Sequence, residues 1–189
     1  MLAAGQGTRL RPLTDDRPKC LLPIQGRPIL DRLLDHFRGW ADRVVVVTGH
    51  AHDVLERHLA SLDVPGPIVT RHNPVFRSTN SLFSAAIARD AWVESDAVVV
   101  TNTDVLFAPG ALDALLAEPD ELVLSVDVKP CDQEDMKVML DPTSGRVSRV
   151  SKDLPPDRCL GEFTGVALAR ADGVRLLAES IETLLRAPG

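Results

Sequence analysis

The segment that follows the first residue has a composition suited to phosphate binding. It reads Leu2-Ala3-Ala4-Gly5-Gln6-Gly7-Thr8-Arg9. Gly5 and Gly7 permit positive-φ turns that aim backbone N–H groups at an anion. Arg9 adds a planar, permanent cation, and Lys19 a second positive charge. The pattern predicts a phosphate loop. An ordinary tight turn is the alternative, because the dinucleotide and Walker spacings are both absent.

A second candidate site follows a predicted buried strand. Residues 98–101 are Val-Val-Val-Thr and lead directly into Asn102-Thr103-Asp104. Carboxylate oxygens suit Mg²⁺, which in nucleotide sites usually keeps substrate phosphates in its shell. Asp104 is therefore a candidate magnesium ligand, with a helix-capping Asp turn as the alternative. Asn80 and Ser81 are interpreted as ligand contacts, as a helix cap, or as both.

Apolar periodicity predicts the elements that position these residues. Leucines at 30, 33 and 34 with Phe37 predict a helix over 28–37. Further helices are predicted over 54–62, from 80 or 81 to 87, over 111–116 and over 174–185, and a turn over 63–67. Strands are predicted over 44–48, 68–70, 97–101, 122–126, 137–140 and 164–169. This alternation predicts a largely parallel α/β sheet whose ligands bind beyond the carboxyl ends of the strands.

The bulk composition limits the classes of partner. The 189 residues carry a formal net charge of −6, and lysine and arginine are not clustered in the sequence. Nucleic-acid binding is therefore not expected, because it needs a clustered basic face. No stretch has the length and apolar character of a signal peptide or membrane span. We expect a single domain over residues 1–189 that acts on small molecules.

The cysteines and two neighbouring histidines predict no metal centre. Cys20, Cys131 and Cys159 are far apart and odd in number, which fits neither a disulfide framework nor a zinc site. This usage favours a reducing cytoplasm. His50 and His52 lack further ligands in their segment, so they are interpreted as part of a polar loop.

The opening segments resemble the sugar-phosphate nucleotidylyltransferase family. The resemblance covers residues 2–14, 18–24 and 26–30. It implies a Rossmann-like, mostly parallel sheet of the nucleotide-diphospho-sugar transferase type, flanked by helices. It also implies Mg²⁺ held by Asp104, with Arg9 and Lys19 as catalytic contacts to the phosphates. The loop residues that it implies for nucleotide binding are Leu2, Ala3, Ala4, Gly5, Gly7, Thr8 and Arg9. We expect Asn80 and Ser81 to be further nucleotide contacts.

Later segments resemble the phosphocholine and 2-aminoethylphosphonate cytidylyltransferases. These segments are 72–74, 80–84, 134–138, 145–147, 151–154 and 161–165. The resemblance implies CTP as donor, a small phosphorylated or phosphonate acceptor, and release of pyrophosphate. We expect Lys137, Lys152 and Glu162 on the acceptor side, with solvated lysines and a solvated acidic face as the alternatives. A sugar-1-phosphate nucleotidylyltransferase using UTP or dTTP is the alternative enzyme.

The chain departs from the family pattern at both ends. Family members begin with a short apolar strand before the position of Leu2, and they continue past the last helix into a segment with another acidic metal ligand. We find neither here, so the second metal ligand is unassigned. The competing hypothesis of another class is a truncated, non-catalytic nucleotide-binding module. A homodimer is left open.

Overall fold

The computed structural model describes residues 1–63 and 66–186. Its α-helices are α1 (Ile29–Phe37), α2 (His52–Ser61), α3 (Ser81–Ile87), α4 (Ala111–Ala117) and α5 (Asp172–Arg186). Its strands are β1 (Pro23–Ile24), β2 (Arg27–Pro28), β3 (Val44–Thr48), β4 (Ile68–His72), β5 (Ala97–Thr101), β6 (Leu122–Asp127), β7 (Lys137–Leu140), β8 (Val147–Ser151) and β9 (Gly161–Arg170). The predicted turn over 63–67 contains Val64 and Pro65, which lie outside the described residues, as do residues 187–189.

One half of the main sheet is parallel and is built around the first residues of the chain. β3 pairs in parallel with β4 over their whole lengths. Leu2 forms parallel bridges to Val47 in β3 and to Asn102 after β5. The Leu2 N–H donates to the Thr101 carbonyl at 2.8 Å, and the Ala3 N–H to the Val47 carbonyl at 2.9 Å. Residues 1–3 therefore join β3 to β5.

The other half of the sheet is antiparallel and is centred on β9. This strand pairs with β5 and β7 along one edge and with β6 along the other, and β8 pairs with β7. The expectation of a largely parallel sheet thus holds around β3, β4 and β5, while the complete sheet is mixed. The reason is that no α-helix lies between β6 and β9, and a parallel pair needs a long crossover, usually helical.

Helices cover both faces of the sheet. Leu30 of α1 and Leu55 of α2 pack with Val46 on one face, where α4 joins α1 in an adjoining cluster. Ala85 of α3 and Ala178 of α5 pack with Val47 on the other face. Val46 and Val47 are consecutive in β3, so their side chains point to opposite faces. This one strand therefore anchors both layers.

Most predicted elements lie where the apolar pattern put them. The strands over 44–48 and 97–101 have the predicted bounds, and α1 buries the predicted apolar face. The edge strand β8 is absent from the predictions, because its residues are largely exposed and lack a core pattern. Asn80 caps α3, since its Oδ1 accepts the Phe83 N–H at 3.2 Å.

Among the described residues, no helix has the length and hydropathy that a bilayer crossing requires.

Candidate active site

A cavity of about 230 Å³ opens at the carboxyl ends of the central strands. Its lining comes from residues 2–5, residues 19–20, five residues between 76 and 84, and residues 102–104. Lys19, Asn80, Ser81 and Asp104 are all among them. Segments far apart in the sequence thus meet at the sheet edge where α/β proteins bind ligands.

The phosphate loop is held in shape by Gly7 and Thr14. Gly7 has φ +62°, and a Cβ there would lie 3.1 Å from the Thr14 Cγ2 and 3.2 Å from the Lys19 Cβ. The buried Thr14 hydroxyl donates to the Gly7 carbonyl at 2.9 Å. Gly5 lines the cavity, and a Cβ there would meet nothing within 4 Å. The loop therefore packs tightly on the Thr14 side and is open on the cavity side.

Lys19 and Asp104 form an ion pair at the cavity, although 85 positions separate them in the sequence. The Lys19 Nζ donates to the Asp104 Oδ2. Lys19 begins a short 3₁₀ turn after Pro18, and Asp104 follows the end of β5. Their side chains are 31% and 42% exposed, so a ligand has access to both. The pair brings two of the three predicted catalytic residues together.

Asn102 is a lining residue that the site prediction did not include. Its N–H donates to the Gly165 carbonyl at 2.9 Å, and its side chain lines the cavity. Gly165 has φ +83°, and a Cβ there would collide with the Asn102 carboxamide. Thr103, also unpredicted, is buried and donates its hydroxyl to the Leu2 carbonyl at 3.2 Å. The Asn-x-Asp pattern is the sequence signal that could have included Asn102.

A buried amide organises the opposite wall. Asn73 is 1% exposed, and its Nδ2 donates to the Thr79 Oγ1 at 3.0 Å and to the Ser84 Oγ at 3.2 Å. Its Oδ1 accepts the Val75 N–H at 3.1 Å. Thr79 and Ser84 line the cavity beside Asn80. Asn73 therefore fixes a polar wall without lining it.

Cys20 lines the cavity but is not suited to nucleophilic chemistry. The residue is 1% exposed, and burial raises the pKa of its thiol to about 12. A thiol of that pKa is almost entirely protonated near neutral pH, and the thiolate is the reactive form. Its position adds an uncharged surface beside Lys19.

Three predicted loop residues do not line the cavity. Thr8 and Arg9 are exposed in the 3₁₀ turn Thr8–Leu10. Gly7 lies on the side of the loop that packs against Thr14, away from the cavity. Arg9 thus does not share the cavity lining with Lys19 and Asp104. Its predicted contact with phosphates stays a prediction.

The metal prediction concerns one carboxylate at the cavity. Within residues 1–63 and 66–186, no group of three His, Cys, Asp or Glu side chains is arranged to hold a metal ion. Mg²⁺ does not require one, because it commonly binds one or two carboxylates and completes its shell with water and substrate phosphates. Asp104 fits that limited role.

The predicted acceptor residue Lys137 is buried and has a structural role. It is 1% exposed, and its Nζ donates to the carbonyls of Asp132, Gln133 and Asp135 at 3.0, 3.2 and 3.3 Å. The ammonium therefore ties residues 132–135 to β7. It is neither a cavity-lining group nor the solvated lysine of the alternative interpretation.

The other two predicted acceptor residues belong to charge pairs, one half-exposed and one exposed. Glu162 on β9 lies 2.8 Å from the Lys129 Nζ, and this contact raises the Lys129 pKa. Lys152 lies 3.4 Å from Glu134. Neither Glu162 nor Lys152 lines the cavity. Because β7 follows β5 along the same edge of β9, this charged region lies beyond the strand end that leads to Asp104.

A family model decides the classification. Residues 1–142 match the model described as the MobA-like NTP transferase domain. The chain belongs to the MobA-like NTP transferase family. The predicted nucleotidylyltransferase resemblance is thereby confirmed, and the matched residues include the whole cavity lining.

The chain is similar in sequence to two curated relatives whose names refer to CMP or CTP. The chain is 36% identical over 155 residues to the CMP-5'-(3-aminopropyl)phosphonate synthase of Streptomyces rubellomurinus, covering 81% of this chain and 23% of that protein. It is 27% identical over 136 residues to the CTP:phosphoglutamine cytidylyltransferase of Campylobacter jejuni, covering 69% and 53%. The chain thus spans about a quarter of the first relative's length and about half of the second's.

A solved structure confirms the predicted fold class. The CTP:phosphocholine cytidylyltransferase of Streptococcus pneumoniae superimposes with a TM-score of 0.72 at 20% identity. The superposition covers 97% of this chain and 75% of that one. At this identity the likeness shows the fold alone.

Proposed function

We propose that this transferase-family chain moves CMP from CTP to a small phosphorylated or phosphonate alcohol or amine and releases pyrophosphate. The observation that carries the proposal is the single cavity in which the glycine loop, Lys19 and Asp104 meet. The names of the two curated relatives, which refer to CMP or CTP chemistry, support the choice of nucleotide.

The proposed nucleotide position follows from the chemistry of the cavity walls. The triphosphate lies against residues 2–7 and the Lys19 ammonium, because small residues and a cation suit dense negative charge. Thr8 and Arg9 contact the outer phosphates from the adjoining turn. The nucleoside lies against the wall of Asn80 and Ser81, whose polar groups suit its hydroxyls and base edge.

Mg²⁺ is the proposed cofactor, and Asp104 is its proposed protein ligand. When bound, the ion supplies positive charge that neutralises the phosphates. The Lys19 ammonium contacts Asp104 at the cavity, so it lies beside the proposed metal ligand, and we propose that it also donates to a phosphate oxygen of the nucleotide.

The reaction is an in-line displacement at phosphorus. An acceptor phosphate or phosphonate oxygen forms a bond to the α-phosphorus, the bond to the bridging oxygen breaks, and pyrophosphate leaves with that electron pair. The attacking oxygen is already anionic near neutral pH, so no strong general base is required. The protein contributes position and charge through Lys19, Arg9 and backbone N–H groups.

The acceptor is proposed to enter from the antiparallel half of the sheet. Glu162 suits a cationic amine on the acceptor, and Lys152 suits its phosphate or phosphonate group. Both side chains are partly exposed and held in pairs, so an acceptor can exchange with their present partners. Lys137 contributes indirectly, by fixing the loop at 132–135.

The proposed partners are small molecules in a reducing compartment. A net charge of −6 is unfavourable for a nucleic-acid surface, and the three cysteines are free thiols. These features support the cytoplasm as the location. A homodimer stays a prediction, to be tested by light scattering of the purified chain.

The decisive assay is pyrophosphate release by the purified chain with Mg²⁺. CTP, UTP and dTTP are each combined with phosphocholine, 2-aminoethylphosphonate, inositol phosphate and several sugar 1-phosphates. We expect turnover with CTP and one of the first three acceptors. Turnover only with UTP or dTTP and a sugar 1-phosphate would replace the proposed function by the sugar alternative. Nucleotide binding without turnover would favour the binding module.

A further inference from the structure

The turn after β3 lies directly against the phosphate loop. The two come so close that a Cβ at Gly49 would lie 2.6 Å from the Ala4 carbonyl oxygen. The next residue, His50, donates its backbone N–H to that oxygen at 3.0 Å. This turn therefore supports the loop where it leaves the sheet.

The imidazole of His50 reaches Thr14, in the turn that follows the phosphate loop. Its Nε2 lies 2.7 Å from the Thr14 carbonyl oxygen. A carbonyl only accepts, so Nε2 must carry the proton and donate it. Thr14 in turn restrains Gly7, because its hydroxyl donates to the Gly7 carbonyl. Gly7 lies close to the Lys19 side chain.

The same imidazole also contacts the opposite wall of the cavity. Its ring centre lies 6.2 Å from that of Phe76, at an interplanar angle of 54°. Phe76 lines the cavity on the side of Asn80. His50 itself does not line the cavity, so it contacts no bound ligand there and acts through its neighbours.

We propose that His50 is the positioning residue that holds residues 4–14, which include most of the phosphate loop, against the Phe76 wall. The proposal rests on the proposed nucleotide site, which it deepens. His50 fixes both walls at once, through a hydrogen bond to Thr14 and a ring contact to Phe76. Losing it frees the loop and weakens nucleotide binding, while the acceptor side is unaffected.

Limited trypsin digestion tests the loop restraint without any ligand. Between residues 7 and 18 only Arg9 offers a cleavable bond, because Arg11 and Arg17 each precede a proline. We expect cleavage after Arg9 to be about tenfold faster in His50→Phe, which keeps a ring but removes the donor. His50→Gln keeps a donor near the Nε2 position and should stay within about twofold of wild type.

A matched control removes a different histidine hydrogen bond. His58 on α2 lies 2.6 Å from the Asp31 carboxylate, away from the loop. His58→Phe should leave cleavage after Arg9 unchanged. If His50→Phe does not fold, His50→Asn carries the same expectation, because its shorter side chain cannot reach the Thr14 carbonyl. Wild-type cleavage in the folded His50 variant would overturn the proposal.

CTP titration calorimetry with Mg²⁺ then separates the two claims. If the wild-type protein binds CTP, and His50→Phe binds it about five- to tenfold more weakly while His50→Gln binds it normally, the result supports both the role of His50 and the proposed function. Wild-type binding with an unchanged His50→Phe overturns the role of His50 and leaves the proposed function standing. No binding by folded wild type contradicts the proposed function, whatever the trypsin result.

Discussion

The two halves of the sheet handle charge in different ways. In the parallel half, the cavity has one ion pair, Lys19 with Asp104, set among buried polar groups such as Asn73 and Thr103. In the antiparallel half, the charge pairs lie outside the cavity: Lys129 with Glu162 at 2.8 Å is half-exposed, and Lys152 with Glu134 at 3.4 Å is more exposed. The cavity is lined mainly by backbone and small residues, whereas Lys152 and Glu162 of the antiparallel half are long side chains in exchangeable pairs outside it.

This difference suggests how one fold serves several substrates. Contacts from backbone and buried polar groups depend on the fold itself, so they suit the nucleotide, the substrate class that the family name denotes. Exposed ion pairs contribute only about 0–1 kcal/mol to stability and can be replaced without disturbing the sheet. We therefore expect the parallel half to set reaction rate and the antiparallel half to set the acceptor.

The largest effect is expected at the Lys19–Asp104 ion pair of the cavity. Asp104→Asn keeps the shape of the side chain and removes its charge. We expect kcat to fall by about 10²–10³, as when one preorganised electrostatic contact is lost. Steady-state pyrophosphate release measures this, with Asp53→Asn on α2 as a control carboxylate that lies outside the cavity. Unchanged kcat in Asp104→Asn would remove Asp104 from the catalytic site.

The next effect is on stability and lies in the antiparallel half. Lys137→Met keeps the length of the buried side chain but leaves three backbone carbonyls without their donor. We expect the free energy of unfolding to fall by about 2–3 kcal/mol in urea titrations. Lys152→Met, at an exposed pair, is the control and should change it by less than about 1 kcal/mol. Equal losses in the two variants would contradict the structural role of Lys137.

A smaller effect is expected where the two halves meet. Gly165→Ala places a Cβ against the Asn102 carboxamide at φ +83°. We expect about 1–2 kcal/mol of destabilisation and a several-fold rise in the KM for the nucleotide. Gly145→Ala is the matched control, because Gly145 has φ +67° but nothing within 4 Å of the added Cβ. It should lose stability through backbone strain alone, by no more than Gly165→Ala, and leave the KM unchanged.

The smallest effect is expected at the acceptor side. Glu162→Gln should raise the KM for an amine-bearing acceptor several-fold while leaving the KM for the nucleotide unchanged. The Lys129 pKa should fall at the same time, because the Glu162 contact is the largest cause of its elevation. Steady-state kinetics and NMR titration of Lys129 measure the two. An equal rise in both KM values would place Glu162 on the nucleotide side.

Regular periodicity made most of the fold predictable. Four apolar positions of α1 recur at helical spacing and are buried, and the β-branched run over 44–48 forms β3. The apolar pattern does not predict the mixed sheet, because strand direction follows from the connections between strands. It does not predict the exposed β8 either, because that strand carries no apolar signal. The helix cap at Asn80 was predictable because it depends only on local sequence.

The site was predictable where a residue's role depends on its own segment. Local motifs predict Lys19, Asp104, Asn80 and Ser81 as site residues, and all four line one cavity. Asn102 owes its position to Gly165, and that contact depends on the register between β5 and β9. Lys137 and Lys152 are both strand-associated lysines in the sequence, and only tertiary packing distinguishes the buried one from the exposed one.

Hydrogen–deuterium exchange with and without CTP and Mg²⁺ tests the division between the halves most directly. We predict that CTP slows exchange in peptides covering residues 2–14, 73–84 and 102–104. Peptides covering residues 129–137 and 147–162 should be unchanged until an acceptor analogue is added. Protection by CTP confined to the second set of peptides, or none in the first, would contradict the assignment of the nucleotide to the parallel half.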